Sequence, residues 1–186
     1  GVQCDSTHPT FAAALALAAT FPDVLGERPS VSICLADSVH EESVVVDNSS
    51  LTYGSPLSLD FEGHSLCPDP ASGPSVPAID IITGAVSAGA SDVVARLSLD
   101  VRAGGPCPSG PRPGIRFSGS GTGSLAQTGL LAGTTGYAVL HDGPAVPSAS
   151  LGVTNWRIID CLGVAIASGP WADVSLTEVV GCEAQG

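Results

Sequence analysis

The chain reads as an all-β protein of stacked parallel coils, a β-solenoid entered through one short helix. Three observations predict this. First, an apolar alternating run closed by glycine recurs at Ile79 (IDIITG), Ile115 (IRFSGSG), Ala138 (AVLHDG) and Val164 (VAIASG). Second, each copy is followed by another apolar run: VVARLSLDV, SLAQTGLL, SLGVTNWRII and DVSLTEVV. The last three copies are spaced in the twenties of residues, a period that marks a solenoid, because one such unit cannot bury its apolar face without a neighbour. Third, the 15 Pro and 23 Gly collect between the runs, where turns need them.

Along the chain, residues 7–20 (THPTFAAALALAAT) predict the one helix. Thr7 or Thr10 can cap it, Pro9 is tolerated near its first turn, and Phe21-Pro22 ends it. A helix this apolar must cover something, and the open end of the first coil is the natural place. Residues 1–29 are thus an N-terminal segment with a capping helix, and 30–186 are the coils of a single domain. The runs VSICLAD (31–37), SVVVDN (43–48) and LSLDFEG (57–63) predict strands, the last with Leu57, Leu59 and Phe61 on one face. The longest alternation sets Val93, Ala95, Leu97, Leu99 and Val101 inward, with Val94, Arg96, Ser98, Asp100 and Arg102 on a largely polar face toward water. PDPASGPSVP, GGPCPSGPRPG and DGPAVPSAS predict loops.

Composition narrows the function. The 186 residues hold six Arg and no Lys against 18 acidic residues, for a formal net charge of −12. Phosphate binding needs clustered cations, so nucleic acid is not expected as a partner. The six cysteines, Cys4, Cys34, Cys67, Cys107, Cys161 and Cys182, are scattered singly, which predicts disulfides rather than zinc or redox chemistry. Disulfides imply an oxidising compartment, so the protein is expected to be secreted or on the cell surface. The start at Gly1, without Met or an apolar leader, is read as a mature product whose signal peptide has been removed. No run of transmembrane length is present.

Several phrases carry a resemblance: the Ala-rich entry TFAAALALAAT, the strand VSICLAD, HEESVVVDNSSLTYG, and the later coils YAVLHDG, LGVTNWRIIDCLGVAIASG and VSLTEVVGC. Over residues 5–182 the chain resembles the right-handed parallel β-helix, or pectin-lyase-like, proteins. The resemblance implies the architecture and leaves activity open, since the family spans polysaccharide lyases, glycoside hydrolases, tailspikes, adhesins and non-catalytic surface proteins. Lyases of the family use a basic residue with calcium-holding carboxylates, which directs attention to Arg96, Arg102 and Arg116. Its hydrolases use several Asp with a nearby His and a basic pair, which directs it to His141, Asp142 and Asp160. The family's N-T-D, D-D, G-H-G and R-I-K motifs are missing, and the RIID at 157–160 is a poor echo of the last.

No catalytic residue is therefore assigned, and no cofactor or metal is expected. His141 and Asp142 read as strand-end and turn chemistry, and the arginines as strand-surface residues paired with acids. Asn155 and Glu178 read as bend positions, and Trp156 as core. The expected role is a non-enzymatic extracellular structural or interaction module, such as a subunit or segment of a surface fibre or filament, partnered by itself or by other surface proteins. The alternatives are a carbohydrate-active enzyme and a glycan-binding adhesin module. The expected disulfides are Cys4–Cys34, Cys67–Cys107 and Cys161–Cys182: the first pins the N-terminal segment, the second ties two Pro-rich loops, and the third bridges the last two coils. The last coil, around Val179, Val180 and Cys182, is the expected self-association surface.

Overall fold

The structure is a computed structural model that describes residues 7–22, 31–35, 39–84, 92–101, 107, 110–126, 129–144, 146, 149–168 and 172–182. It contains one helix, α1 (Phe11–Ala18), and thirteen strands among the described residues. The strands are β1 (Val31–Cys34), β2 (Val39–Glu41), β3 (Val44–Asp47), β4 (Leu57–Cys67), β5 (Ile79–Thr83), β6 (Val93–Asp100) and β7 (Ile115–Gly119). They continue with β8 (Thr122–Leu125), β9 (Leu130–Ala132), β10 (Thr135–Asp142), β11 (Ser150–Ile159), β12 (Leu162–Ala167) and β13 (Ala172–Val180).

The protein is all-β with parallel sheets. One eight-stranded sheet runs β1-β4-β6-β8-β11-β13, with β2 beside β4 and β9 beside both β6 and β11. A five-stranded sheet runs β12-β10-β7-β5-β3. From β3 onward the chain passes back and forth between the two sheets. The recurring glycine-closed phrases form the five-stranded sheet, and their second halves form the eight-stranded one.

Parallel register stacks like on like. Val44, Ile79, Ile115, Val139 and Ile166 form one column of the smaller sheet, and Val46, Ile81, Phe117 and His141 the next. In the larger sheet Leu57, Val93, Gly123 and Leu151 are in line, as are Leu59, Ala95, Leu125 and Val153. A third column, Leu99, Leu131, Ile158 and Val179, lies beyond a register irregularity that divides the sheet lengthwise, between Asp60 and Ser65 on β4 and between Thr154 and Trp156 on β11. All column members through Leu151, Val153 and Ile158 in the larger sheet are buried, as inward positions of alternating strands should be.

The register corrects the repeat alignment. Val139, not Ala138, faces Ile115, and Ile166, not Val164, faces Val139. Ala138 and Val139 are both fully buried, so the apolar phrase begins one residue before the column does. Gly114 makes this possible: a Cβ there would lie 2.1 Å from the Ala138 carbonyl oxygen.

Helix α1 starts where Thr10 Oγ1 accepts the Ala13 N–H at 3.1 Å. The Glu42 carboxylate also accepts from the N–H groups of Phe11 (2.6 Å) and Ala12 (3.2 Å), satisfying donors that a helix start leaves unpaired. Phe11, Leu15 and Ala18 are buried, and Phe11 meets Phe61 edge to face with centroids 5.6 Å apart. The helix packs on β1 and β3, the first strand of each sheet, and shares their core.

The disulfides Cys67–Cys107 and Cys161–Cys182 are both present. Cys34 is also disulfide-bonded. Cys4, its expected partner, lies outside the described residues, as do Arg28, Arg102 and Trp171.

Candidate functional site

The outward face of the five-stranded sheet brings Asp80, Arg116, Tyr137 and Asp142 into one electrostatic group. Alternation turns Asp80 on β5 and Arg116 on β7 away from the core, and parallel pairing sets them side by side. Arg116 Nε donates to Asp80 Oδ1 at 2.9 Å, and a terminal guanidinium nitrogen donates to Oδ2, giving a two-pronged pair. The Asp80 hydrogen bond, more than any other influence, raises the Arg116 pKa further, and the charge of Asp142 acts in the same direction. Tyr137 on β10 completes the group. Partial burial pushes its phenol up, Arg116 pulls it down, and the charges of Asp80 and Asp142 push it up again.

The other arginines are dispersed. Arg96 is on β6 in the eight-stranded sheet and Arg116 on β7 in the five-stranded one. Arg112 is buried and donates to the carbonyls of Ser72 (2.7 Å), Gly73 and Pro70 (3.4 Å). It thus fastens the Pro-rich loop after Cys67, alongside the Cys67–Cys107 bridge. Arg157 Nε donates to Glu178 Oε2 at 2.5 Å across the neighbouring strands β11 and β13.

His141 sits at the end of β10, as its strand-end reading expects, and is buried in line with Phe117 in an inward column. Its Nδ1 has no hydrogen-bond partner among the described residues. Burial lowers its pKa from 6.5, and the Asp142 charge opposes that shift. Asp142 closes β10, whereas Asp160 follows β11 with φ 53° and donates its N–H to the Val180 carbonyl at 2.9 Å. The ten-residue strand β11 separates the two in the chain.

Asn155 sits at the β11 irregularity with φ 59°, which agrees with its reading as a bend. Glu178 does not share that place: it is paired in register with Arg157. Trp156 is fully buried, with Gly129 leaving room for its ring, since a Cβ at 129 would lie 2.6 Å from it. Among the described residues no three His, Cys, Asp or Glu side chains converge on a metal-sized position. No helix among them is long and apolar enough to cross a membrane.

The end of the stack opposite α1 has a different character. The column Leu99, Leu131, Ile158 is fully buried, yet Val179, the next in line, is 38% exposed. Val180 beside it is 51% exposed, and Leu162, at the start of β12, is 74% exposed. These side chains flank the Cys161–Cys182 disulfide, whose Cys182 is half-buried. Sequence reasoning named Val179, Val180 and Cys182 but missed Leu162, because the repeat alignment placed that strand's start two residues later. It also missed the buried pair Asn48 and Asp92, which only the packed corner brings together.

The chain matches no known protein family, no curated protein and no solved structure.

Proposed function

We propose that this chain is a non-enzymatic extracellular structural or interaction module, wound as a right-handed parallel β-helix of the pectin-lyase-like kind. The winding is supported by the alternation of the chain between two parallel sheets and by the lengthwise division of the larger one, which together suit coils of three short faces. Right-handedness follows the general rule for crossovers between parallel strands. Secretion is supported by the disulfides, which persist in oxidising compartments.

The observation that carries the functional reading is the exposure of Val179 at the end of a buried column. An inward position that meets solvent is a core position awaiting a neighbour, and an edge strand offers unpaired backbone groups to the same neighbour. The proposed neighbour is a second copy of the chain. Because α1 covers β1 and β3 at the opposite end, the contact joins two β12–β13 ends, a self-complementary pairing that closes as a dimer. An open filament would instead require α1 to be displaced. The arginines support a role without catalysis, since Arg112, Arg116 and Arg157 are each engaged by carbonyls or a carboxylate.

A second reading is glycan binding at the Asp80, Arg116, Tyr137 and Asp142 face, where an aromatic ring lies among paired polar groups. Sedimentation velocity over a range of concentration tests the first reading. Dimerisation that strengthens with added salt, as screening relieves the acidic repulsion, and is abolished by Val180→Asp is expected. A monomer at every concentration, with glycan-array binding lost in Arg116→Ala, would shift the assignment to the second reading.

A further inference from the structure

We propose that Asp92 is a proton-binding latch at the corner where residues 48–54 fold over the start of β6, taking up a proton in mildly acidic medium and holding the corner more firmly there than at neutral pH. Asp92 and Asn48 are both fully buried. Asn48 Nδ2 donates to Asp92 Oδ1 at 2.8 Å, and the Gly84 N–H donates to Oδ2 at 2.6 Å. The same Asn48 donates to the Gly54 carbonyl (2.9 Å) and accepts the Tyr53 N–H (2.9 Å), so the turn is tied to the carboxyl through one side chain. The Asp92 backbone bonds to Thr122 on one side and Leu57 on the other, both at 2.8 Å. The ends of β3 and β5 and the starts of β4, β6 and β8 therefore meet at this residue.

A carboxylate offers about four acceptor positions, and the described residues fill two of them with neutral donors. Burying an anion without a countercharge favours its neutral form. The titratable groups on the surrounding elements do not supply that countercharge. Asp47 on β3 is exposed and bonded to Ser49, Tyr53 takes part through its backbone, and Asp80 on β5 is held by Arg116. Asp60, Glu62 and His64 lie on β4, Arg96 and Asp100 lie on β6, and β8 has no titratable residue. Burial raises the Asp92 pKa to about 6, the two neutral donors oppose it, and no charged side chain among the described residues contributes.

The folded protein thus holds this proton more tightly than the unfolded chain does. Stability therefore falls as pH rises through the window from 3.8 to about 6, and returns on acidification. The test is an NMR titration of the Asp92 carboxyl carbon in the wild-type chain, read beside the pH profile of unfolding for wild type and Asp92→Asn. The expected midpoint is about 6, with the fall in stability across the window reduced in Asp92→Asn. A midpoint within about one unit of the ordinary aspartate value overturns the proposal, and the wild-type titration gives that answer even if the variant fails to fold.

Discussion

Phe117 and Gly123 are partners across the core: the ring of Phe117, on the five-stranded sheet, fills the space that a side chain at 123, on the eight-stranded sheet, would need. A Cβ on Gly123 would lie 2.3 Å from the ring. The column Leu57, Val93, Gly123, Leu151 therefore gives up one side chain where the facing column carries its largest. Close-packed interiors resist added atoms. Gly123→Ala is expected to lower stability by ~1–3 kcal/mol through overpacking, and Phe117→Ala by ~3–5 kcal/mol through the cavity left behind. The double variant should cost less than the sum of the two, which denaturant unfolding can measure.

The Cys161–Cys182 bridge ties β11 to β13 at the end of the stack, across a separation of 21 residues. Closing a loop of that size is worth ~3 kcal/mol in the chain-entropy account. Replacing both cysteines with Ala should cost ~2–4 kcal/mol and should loosen β13 before the strands near α1. Hydrogen exchange resolved by strand checks that order, and uniform loosening would contradict it.

His141 should make the fold acid-sensitive, the opposite of Asp92. Burial lowers its pKa below 6.5, so the folded state binds the proton less readily than the unfolded chain. Its contribution is present above 6.5 and is lost as pH falls through the lowered value. His141→Leu should therefore reduce the loss of stability on acidification relative to wild type. Parallel profiles for the two proteins would show that the imidazole is not desolvated.

The Arg116–Asp80 pair is partly exposed, with side chains 37% and 15% accessible, and solvent should screen much of its attraction. A double-mutant cycle on the pair is expected to give a coupling of ~0.2–1 kcal/mol, read from thermal unfolding. A much larger value would mean that the surrounding face is drier than its exposure indicates.

The parallel sheets were legible in the sequence because inward positions alternate strictly in IDII, IRF and LSLDF, and period two allows only one phase for a half-buried strand. The same logic failed at Ala138 and Val164, where a small residue or glycine permits an extra inward or irregular position that periodicity does not reveal. Thr10 was legible as a cap, but Glu42 was not: it reaches the helix start from 30 residues away in the chain, and no local pattern announces such a partner. Arg112 falls in the run GGPCPSGPRPG, which reads as a loop, and only the fold shows the carbonyls gathered around it. Asn48, which closes the run SVVVDN read as a strand, and Asp92 are 44 residues apart. Their pairing depends on stacking, which a single sequence expresses only through its repeats.

If the β12–β13 end receives a partner strand, amide exchange along β13 reports it most directly. Comparing dilute with concentrated protein, protection of the Glu178, Val179 and Val180 region should rise with concentration while α1 and β5 remain unchanged, and Val180→Asp should remove the effect. Equal exchange of β13 at both concentrations, in a wild-type protein with its Cys161–Cys182 bridge intact, would contradict it.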